Sequence, residues 1–558
     1  MIARRRVAPA IAQAFVSVCL VLTVALGPTP APTHMAYAAT SLPPLTVAGL
    51  LPPPFTRNFN PFSTAYTTQL SVAKEIYEPL YIIDDVQGKG YPWLATAYAW
   101  SKDYKTLTFT IRHGVRWSDG QPFTARDVYW TLAVLGKKAA TLDQIGLLTG
   151  KATGVTMPAP DQVAIHFAVG DTTRLFSLVN NTVVVPEHTW SKVKDPQNWD
   201  NPNPVGTGPF TQIANFSSQG FDVGRNPYYW QPGKPAFDTV RIIGYVSNDA
   251  QNLALASGQV DWGNTLIPNA SRVYDSHSPN FHHFYDPRAG LPIMLVPNDQ
   301  KYPFSLPVFR QALSMAVNRQ AISQNAEYGY DPPSDATSLK GPLTSWIDPT
   351  IPNTFAEYHP DKAQALLKQA GFTLRNGQLY DPRGHPVSFN CTTATGQADW
   401  ILSCQIIVQN FKALGIDASV VVRPFTAFTV YSAGPSTIDM MYIQEGGQFS
   451  PYYNYYFECD PTGPYDRARY NNPAMNRLLA AYRLTTDAQL QRRLAYQMER
   501  VWVNTMPEIP VVVIPGPADY STAHYTGFPT PADDYAYNQP FSLPNDTLLM
   551  LTRIHPSH

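Results

Sequence analysis

The sequence predicts an α/β protein with more than one folded lobe. Three observations carry this. The chain has 558 residues, more than one compact core usually holds and enough to bury large ones. Segments such as "TLTFTIR" and "DQVAIHFAV" alternate apolar and polar residues, the pattern of half-buried strands. In the second half, helix-period segments alternate with β-branched ones, as in an α/β lobe.

The elements follow in order. "MIARRRVAPAIAQAFVSVCLVLTVALG" places Arg4, Arg5 and Arg6 before an uncharged run from Val7 to Leu26, and Ala36 and Ala38 follow in the small-x-small pattern of a cleavage site. An export signal is expected over residues 1–38, with an uncleaved single-helix anchor as the alternative. Val18 before Cys19 is too bulky for a bacterial lipoprotein signal. A Pro-rich spacer, "GPTPAPT", leads into a first strand in "SLPPLTVAGL". "RNFNPFS" is a loop, and "SVAKEIYEPLY" is a helix running into a strand.

The most conspicuous stretch is "RHGVRWSDGQPFTARDV", residues 112–128. Its "SDGQPF" supplies Asp, Gly and Pro in turn order. Thr124 is placed to cap the next helix, with Asp127 three residues on in a capping-box position. "ARDVYWTLAVLG" continues at helical spacing and is expected to stop at Gly136. Trp117 is expected to pack the turn onto a strand. No base, nucleophile or metal cluster accompanies these residues, so the segment is predicted to be scaffold.

Further on, "YHPDKAQALLKQAGF" starts a helix at Pro360, carries Ala363, Leu366, Leu367 and Ala370, and stops at Gly371. "ADWILSCQIIVQNFKALGIDASVVV" is a helix with Ile401, Cys404, Val408 and Phe411 on one stripe, closed by Gly415 before a strand.

Composition excludes some functions. A net charge of -1 argues against nucleic acid, which needs a basic surface. Aromatics reach 12%, with 32 Tyr and 11 Trp, which suits ligand walls as well as cores. Outside the signal only Cys391, Cys404 and Cys459 remain, an odd count that cannot pair completely; Cys391 and Cys404 are close enough in sequence to form one disulfide after export, and three buried thiols are the alternative. No Cys/His spacing suits zinc. His282 and His283 are adjacent, and neighbours on a strand point to opposite faces. "GLLTGKAT" is one residue short of a phosphate loop. No nucleophile elbow or zinc-protease motif occurs, so no enzyme, cofactor or metal site is expected.

The segment "LTFTIRHGVRWSDGQPFTARDVYWTL" closely resembles the signature region of solute-binding proteins of bacterial ABC importers, of the dipeptide, oligopeptide and nickel-binding family. "NFNPFS" and "IYEPLY" before it, and "PVGTGPFTQ", "NPYYWQPGKPAFDTVRIIGY", "NDAQNLALASGQVDWG", "FRQALSMAVNRQAI", "YHPDKAQALLKQAGF" and "NPAMNRLLAAYRL…MPEIPVVVIP" after it, stand in family order, and the match spans most of residues 45–515. The resemblance implies a two-lobe periplasmic-binding-protein-like fold (class II, cluster C type) with an extra domain inserted in the first lobe. The expected division is residues 39–75, 200–290 and 508–558 in lobe I, 76–199 in the inserted domain and 291–507 in lobe II. Hinge crossings are expected near Asn298 and after Pro507. The implied role is an exported, monomeric receptor in the periplasm or on the outer face of the membrane. It would deliver a peptide or oligosaccharide to an ABC permease and its ATPase subunits. It would meet the membrane only through that permease or an N-terminal anchor.

The resemblance also places the site. In peptide-binding members an Asp after "Gly-Trp" grips the peptide amine; here Gln444 and Gly447 stand where the family has the Trp and the Asp. Glu445 is the nearest carboxylate that can replace it. The same loop offers Gln448, Tyr452, Tyr453 and Asn454, amides and rings that also suit sugar recognition. Gln397 and Trp400 begin a helix that faces the cleft in the family, and Asn58 and Phe62 are candidates for the first lobe's side. From a different class, a hydrolase using Asp439, Glu445 or Glu458 is the alternative; a retaining glycosidase would need two carboxyls about 5 Å apart.

Overall fold

A computed structural model describes residues 42–557 apart from 50–51, 64–74, 85, 87–88, 266, 268, 286–290, 340, 426–437, 445–449, 462, 464–465, 486, 515–517 and 541–545. The expected export signal and spacer lie outside the described residues. Among those described, no helix is long and apolar enough to cross a membrane.

Two sheets organise the chain. The first has seven strands in the order His282–Tyr285, Ala518–Ser521, Trp262–Gly263, Leu45–Ala48, Thr239–Ile243, Gly220–Arg225 and Phe210–Ala214. Leu45–Ala48 runs parallel to both its neighbours, and the flanking pairs are antiparallel. The second sheet has five strands in the order Asp417–Arg423, Ser388–Ala394, Met440–Gln444, Leu291–Pro297 and Ile509–Ile514. Each sheet is the centre of its own large apolar core. The α/β two-lobe architecture predicted from the sequence is present.

The chain passes from the first sheet to the second between Tyr285 and Leu291, and returns between Ile514 and Ala518. Neither of the expected hinge positions, near Asn298 and after Pro507, marks a crossing. Asn298 follows the far end of Leu291–Pro297, where its N–H donates to the Asp439 carbonyl at 3.0 Å. The strand after Pro507 still belongs to the second sheet, where it pairs with Leu291–Pro297. A β-branched run fits either sheet equally well, so sequence alone misplaced the return.

A separate antiparallel sheet, Ala95–Trp100, Thr106–Ile111, Gln162–Phe167 and Ala152–Thr156, lies within residues 95–167. Along Thr106–Ile111 the three threonines are half-buried and Leu107, Phe109 and Ile111 are buried, as the alternation predicts. The conspicuous turn packs here. Trp117 is fully buried, edge-on to Phe123 at 5.5 Å. Gly120 takes φ +86 in the turn, and its N–H donates to the Trp117 carbonyl. Thr124 and Asp127 form the predicted capping box on Ala125–Tyr129. The helix then loosens into a π turn at Trp130–Val134 and tightens to 3-10 at Leu135–Lys137. Gly136 lies inside that last turn and does not close the helix in a left-handed conformation, as Gly371 and Gly415 do in the second lobe.

Cys391 on its strand and Cys404 on the helix Ala398–Ala413 face each other as buried free thiols, sulfurs 3.4 Å apart; Cys459 is also buried and free.

Candidate functional site

The carboxyl ends of strands from both sheets converge on one cavity of about 380 Å3, within the range of small-ligand sites, about 300–1,000 Å3. From the first sheet, Leu45–Ala48 ends at Gly49, Thr239–Ile243 leads to Tyr245 and Asn248, and Trp262–Gly263 leads to Asn264 and Thr265. From the second, Ser388–Ala394 runs into Thr395, Gly396 and Gln397, while Met440–Gln444 and Ile509–Ile514 contribute their last residues. Open α/β sheets place ligands beyond such strand ends, where loops carry polar groups on a rigid scaffold.

The sequence builds each wall locally. Ser247 caps the helix Asn248–Ala256, its hydroxyl accepting from the Ala250 N–H, so Asn248 and Gln251 project from the first turn into the cavity lining. Gly396 turns the chain from strand to helix at φ +92; a Cβ there would sit 3.3 Å from the Val246 carbonyl of the other lobe. Trp400 then lies in the first turn of Ala398–Ala413, edge-on to Tyr442 at 6.2 Å. Across the lobes, Asn248 Nδ2 donates to Asp399 Oδ1 at 3.3 Å.

The lining is acidic. Glu327, Asp331 and Asp399 line it, and no Lys, Arg or His does so among the described residues. Glu327 is buried and accepts from the Ser403 hydroxyl at 2.9 Å. Burial, reinforced by the neighbouring Asp399 charge, raises its carboxyl to about 8. Burial raises Asp399 to about 6, opposed by backbone N–H donors and Asn248 and assisted by Asp249. Aromatic surface comes from Tyr245, Trp400 and Phe425.

Of the residues singled out in the sequence, Gln397, Trp400 and Gln444 meet in this cavity. Glu445 and Gln448 lie outside the described residues. The helix Pro451–Cys459 carries Tyr452, Tyr453 and Asn454, all buried. Tyr452 stacks between Tyr456 and Tyr482, each 5.5 Å away, and Asn454 donates to Ser338 at 2.9 Å. The Tyr453 hydroxyl donates to the Thr173 carbonyl, and its ring meets Phe176 at 5.2 Å, tying residues 173–176 to the second lobe. Asn58 shapes its own loop through Ser63 and the Asn60 N–H, and Phe62 packs edge-on against Trp190 at 5.4 Å in the first core. None of these five lines the 380 Å3 cavity. His282 stacks on Tyr274 and His283 on Tyr520, with separate hydrogen-bond partners.

Sequence reasoning did not single out Asn248, Gln251, Glu327 or Asp399. A capped helix start directly after a strand was a usable signal for the first two. Glu327 and Asp399 sit 72 positions apart in the numbering, and only the fold joins them.

Comparison with known proteins agrees with this fold. The chain is 27% identical over 375 residues to the nickel-binding periplasmic protein of Escherichia coli (strain K12), covering 63% of this chain and 67% of that one. It is 26% identical over 468 residues to the glutathione-binding protein GsiB of Salmonella typhi, covering 81% and 86%. Among solved structures, a periplasmic oligopeptide-binding protein of Thermotoga maritima superposes with TM-score 0.80 at 22% identity, over 92% of this chain and 99% of that one. The oligopeptide-binding protein AppA of Bacillus subtilis, in complex with a nonapeptide, superposes with TM-score 0.77 at 18% identity, over 92% and 99%. A family model described as "Bacterial extracellular solute-binding proteins, family 5 Middle" matches residues 89–464, and the chain belongs to that family.

Proposed function

We propose that the protein is the receptor of an ABC importer, capturing a peptide-sized solute between its lobes and handing it to the permease. By family, an oligopeptide is the first expectation and an oligosaccharide the second. The observation that carries the reading is the convergence of strand ends from both lobes on one cavity, with Trp400, Gln397 and Gln444 on one wall and Asn248 and Gln251 on the other. Closing two lobes over a solute buries it and couples capture to a shape change the permease can read. A Thermotoga maritima structure of the same fold, TM-score 0.78 at 22% identity, is described as mannohexaose bound, which keeps the oligosaccharide reading in view.

A receptor role fits better than hydrolysis. Asp439 is engaged by the Lys301 ammonium and by the Asn390 N–H, and Glu458 is buried on the helix Pro451–Cys459. Neither lines the cavity.

A thermal-shift panel of tri- to pentapeptides and neutral oligosaccharides tests the reading. A solute at a hundredfold excess over its Kd adds about 2.7 kcal/mol. Small-angle scattering with the best hit should show a smaller radius of gyration than the free protein. A saturating hit that leaves the radius unchanged contradicts closure, and a panel without hits contradicts the solute class.

A further inference from the structure

Glu327 and Asp399 face a cavity that no Lys, Arg or His lines among the described residues, and the opposite wall holds two buried polar atoms with no hydrogen-bond partner there. Gln251 and Thr265, only 8% and 6% exposed, line the cavity from the first lobe. Gln251 Nε2 and Thr265 Oγ1 find no hydrogen-bond partner among the described residues. Buried polar groups are nearly always satisfied, so two on one cavity wall point to a ligand that bonds them. The facing wall carries Glu327 and Asp399, with Asp331 beside them. Buried carboxyls are stable when neutralised by protons or by a cation.

We propose that this end of the cavity is an ammonium site. Glu327 and Asp399 hold a protonated amine of the solute from the second lobe, while Gln251 and Thr265 bond its polar neighbours from the first. The inference rests on the receptor reading above and narrows its solute to amine-bearing molecules. It moves the acidic anchor from the loop around Glu445 to the residue pair after the helix Arg319–Asn325 and at the start of Ala398–Ala413. The amine can be a peptide terminus or an amino sugar; the recognising chemistry is the same.

Among the described residues, Asp249 acts on Asp399, the Tyr442 phenol lies near Glu327, and Asp331 shares the lining; none of these is cationic. Without a cation, burial keeps Glu327 largely protonated near neutral pH. An arriving ammonium favours the carboxylate and expels that proton. Binding of an amine near pH 7 therefore releases protons.

Titration calorimetry tests this with four probes: trialanine, N-acetyl-trialanine, the trimer of glucosamine and the trimer of N-acetylglucosamine. The peptide and sugar arms separate the two sources. At least one amine should bind, and its acetylated form at least about tenfold more weakly, the usual worth of a charge-assisted hydrogen bond. Repeating the titration in buffers of different ionisation enthalpy should show proton release. Glu327→Gln should abolish that release and weaken amine binding about tenfold or more. Asp399→Asn supplies the same affinity test should the first variant fail to fold. Equal binding of acetylated probes, or amine binding without proton release and indifferent to both substitutions, overturns the proposal. If only neutral probes bind and compact the protein, the receptor reading stands and the ammonium site falls. If no probe of either kind binds, both fall.

Discussion

Trp117 and Arg319 show what single side chains do away from the cavity. Trp117 fills the first core beneath a turn whose residues bond one another, and it does not line the 380 Å3 cavity. Trp117→Ala should destabilise the protein by about 3–5 kcal/mol in chemical denaturation. The Kd of a bound solute should be unchanged in the folded fraction; a large affinity loss with unchanged stability would contradict the scaffold role. Arg319 is buried, and its guanidinium donates to the carbonyls of Pro510, Ser314 and Ala356 and to the Ser314 hydroxyl. Burial lowers its pKa to about 9. A lysine cannot reproduce that planar fork. Each abandoned buried carbonyl costs about 1–3 kcal/mol, so Arg319→Lys should destabilise by about 3 kcal/mol or more. Trp117 was legible because its turn and cap are local chemistry. Glu327 was not, because its significance depends on Asp399 and on a strand end from a third part of the chain.

At the scale of elements, capping and close approach decide where chain segments go. The capping box at Thr124 and the left-handed stops at Gly371 and Gly415 were readable from residue order. The helix Ala398–Ala413 was readable too, although its buried face runs through Trp400, Ser403, Cys404, Ile407, Val408 and Phe411, leaving Ile401 half-buried. What the sequence does not show is the strand's partner: β-branched runs pair with either sheet, and Ile509–Ile514 joined the second. Gly206 illustrates the tertiary constraint. A Cβ there would lie 2.0 Å from the Ile76 carbonyl oxygen, so the backbone itself would have to move. Gly206→Ala should therefore lower the melting temperature sharply. Gly154→Ala, on the strand Ala152–Thr156 with nothing within 4 Å of the added methyl, is the control and should change little. Equal effects of the two would contradict the close approach seen here.

Across the whole molecule, buried carboxyls make stability depend on pH. Burial raises Glu75, Glu327 and Asp519 each to about 8, from ordinary values of 4.5, 4.5 and 3.8. Between those limits the native state holds protons that the unfolded chain has released. The stabilisation is complete below the unfolded values and is lost as pH rises through about 8. The melting temperature of the solute-free protein should thus be higher at about pH 5.5 than at about pH 8.5, a tenfold gain in a carboxylate's proton affinity being worth about 1.4 kcal/mol. A flat or opposite trend in differential scanning fluorimetry would mean these groups reach solvent or cations. The two-lobe plan was legible from the order of helices, strands and motifs over most of the chain. The cavity was half legible: Gln397, Trp400 and Gln444 came from the sequence, and the facing wall came only with the fold. The receptor reading requires the solute to lie between those two walls. A crystal structure of the protein with the probe giving the largest thermal shift decides this. Solute density should contact Trp400 and lie within hydrogen-bond distance of Gln251 and Glu327; density elsewhere, with only water between those residues, would contradict the reading.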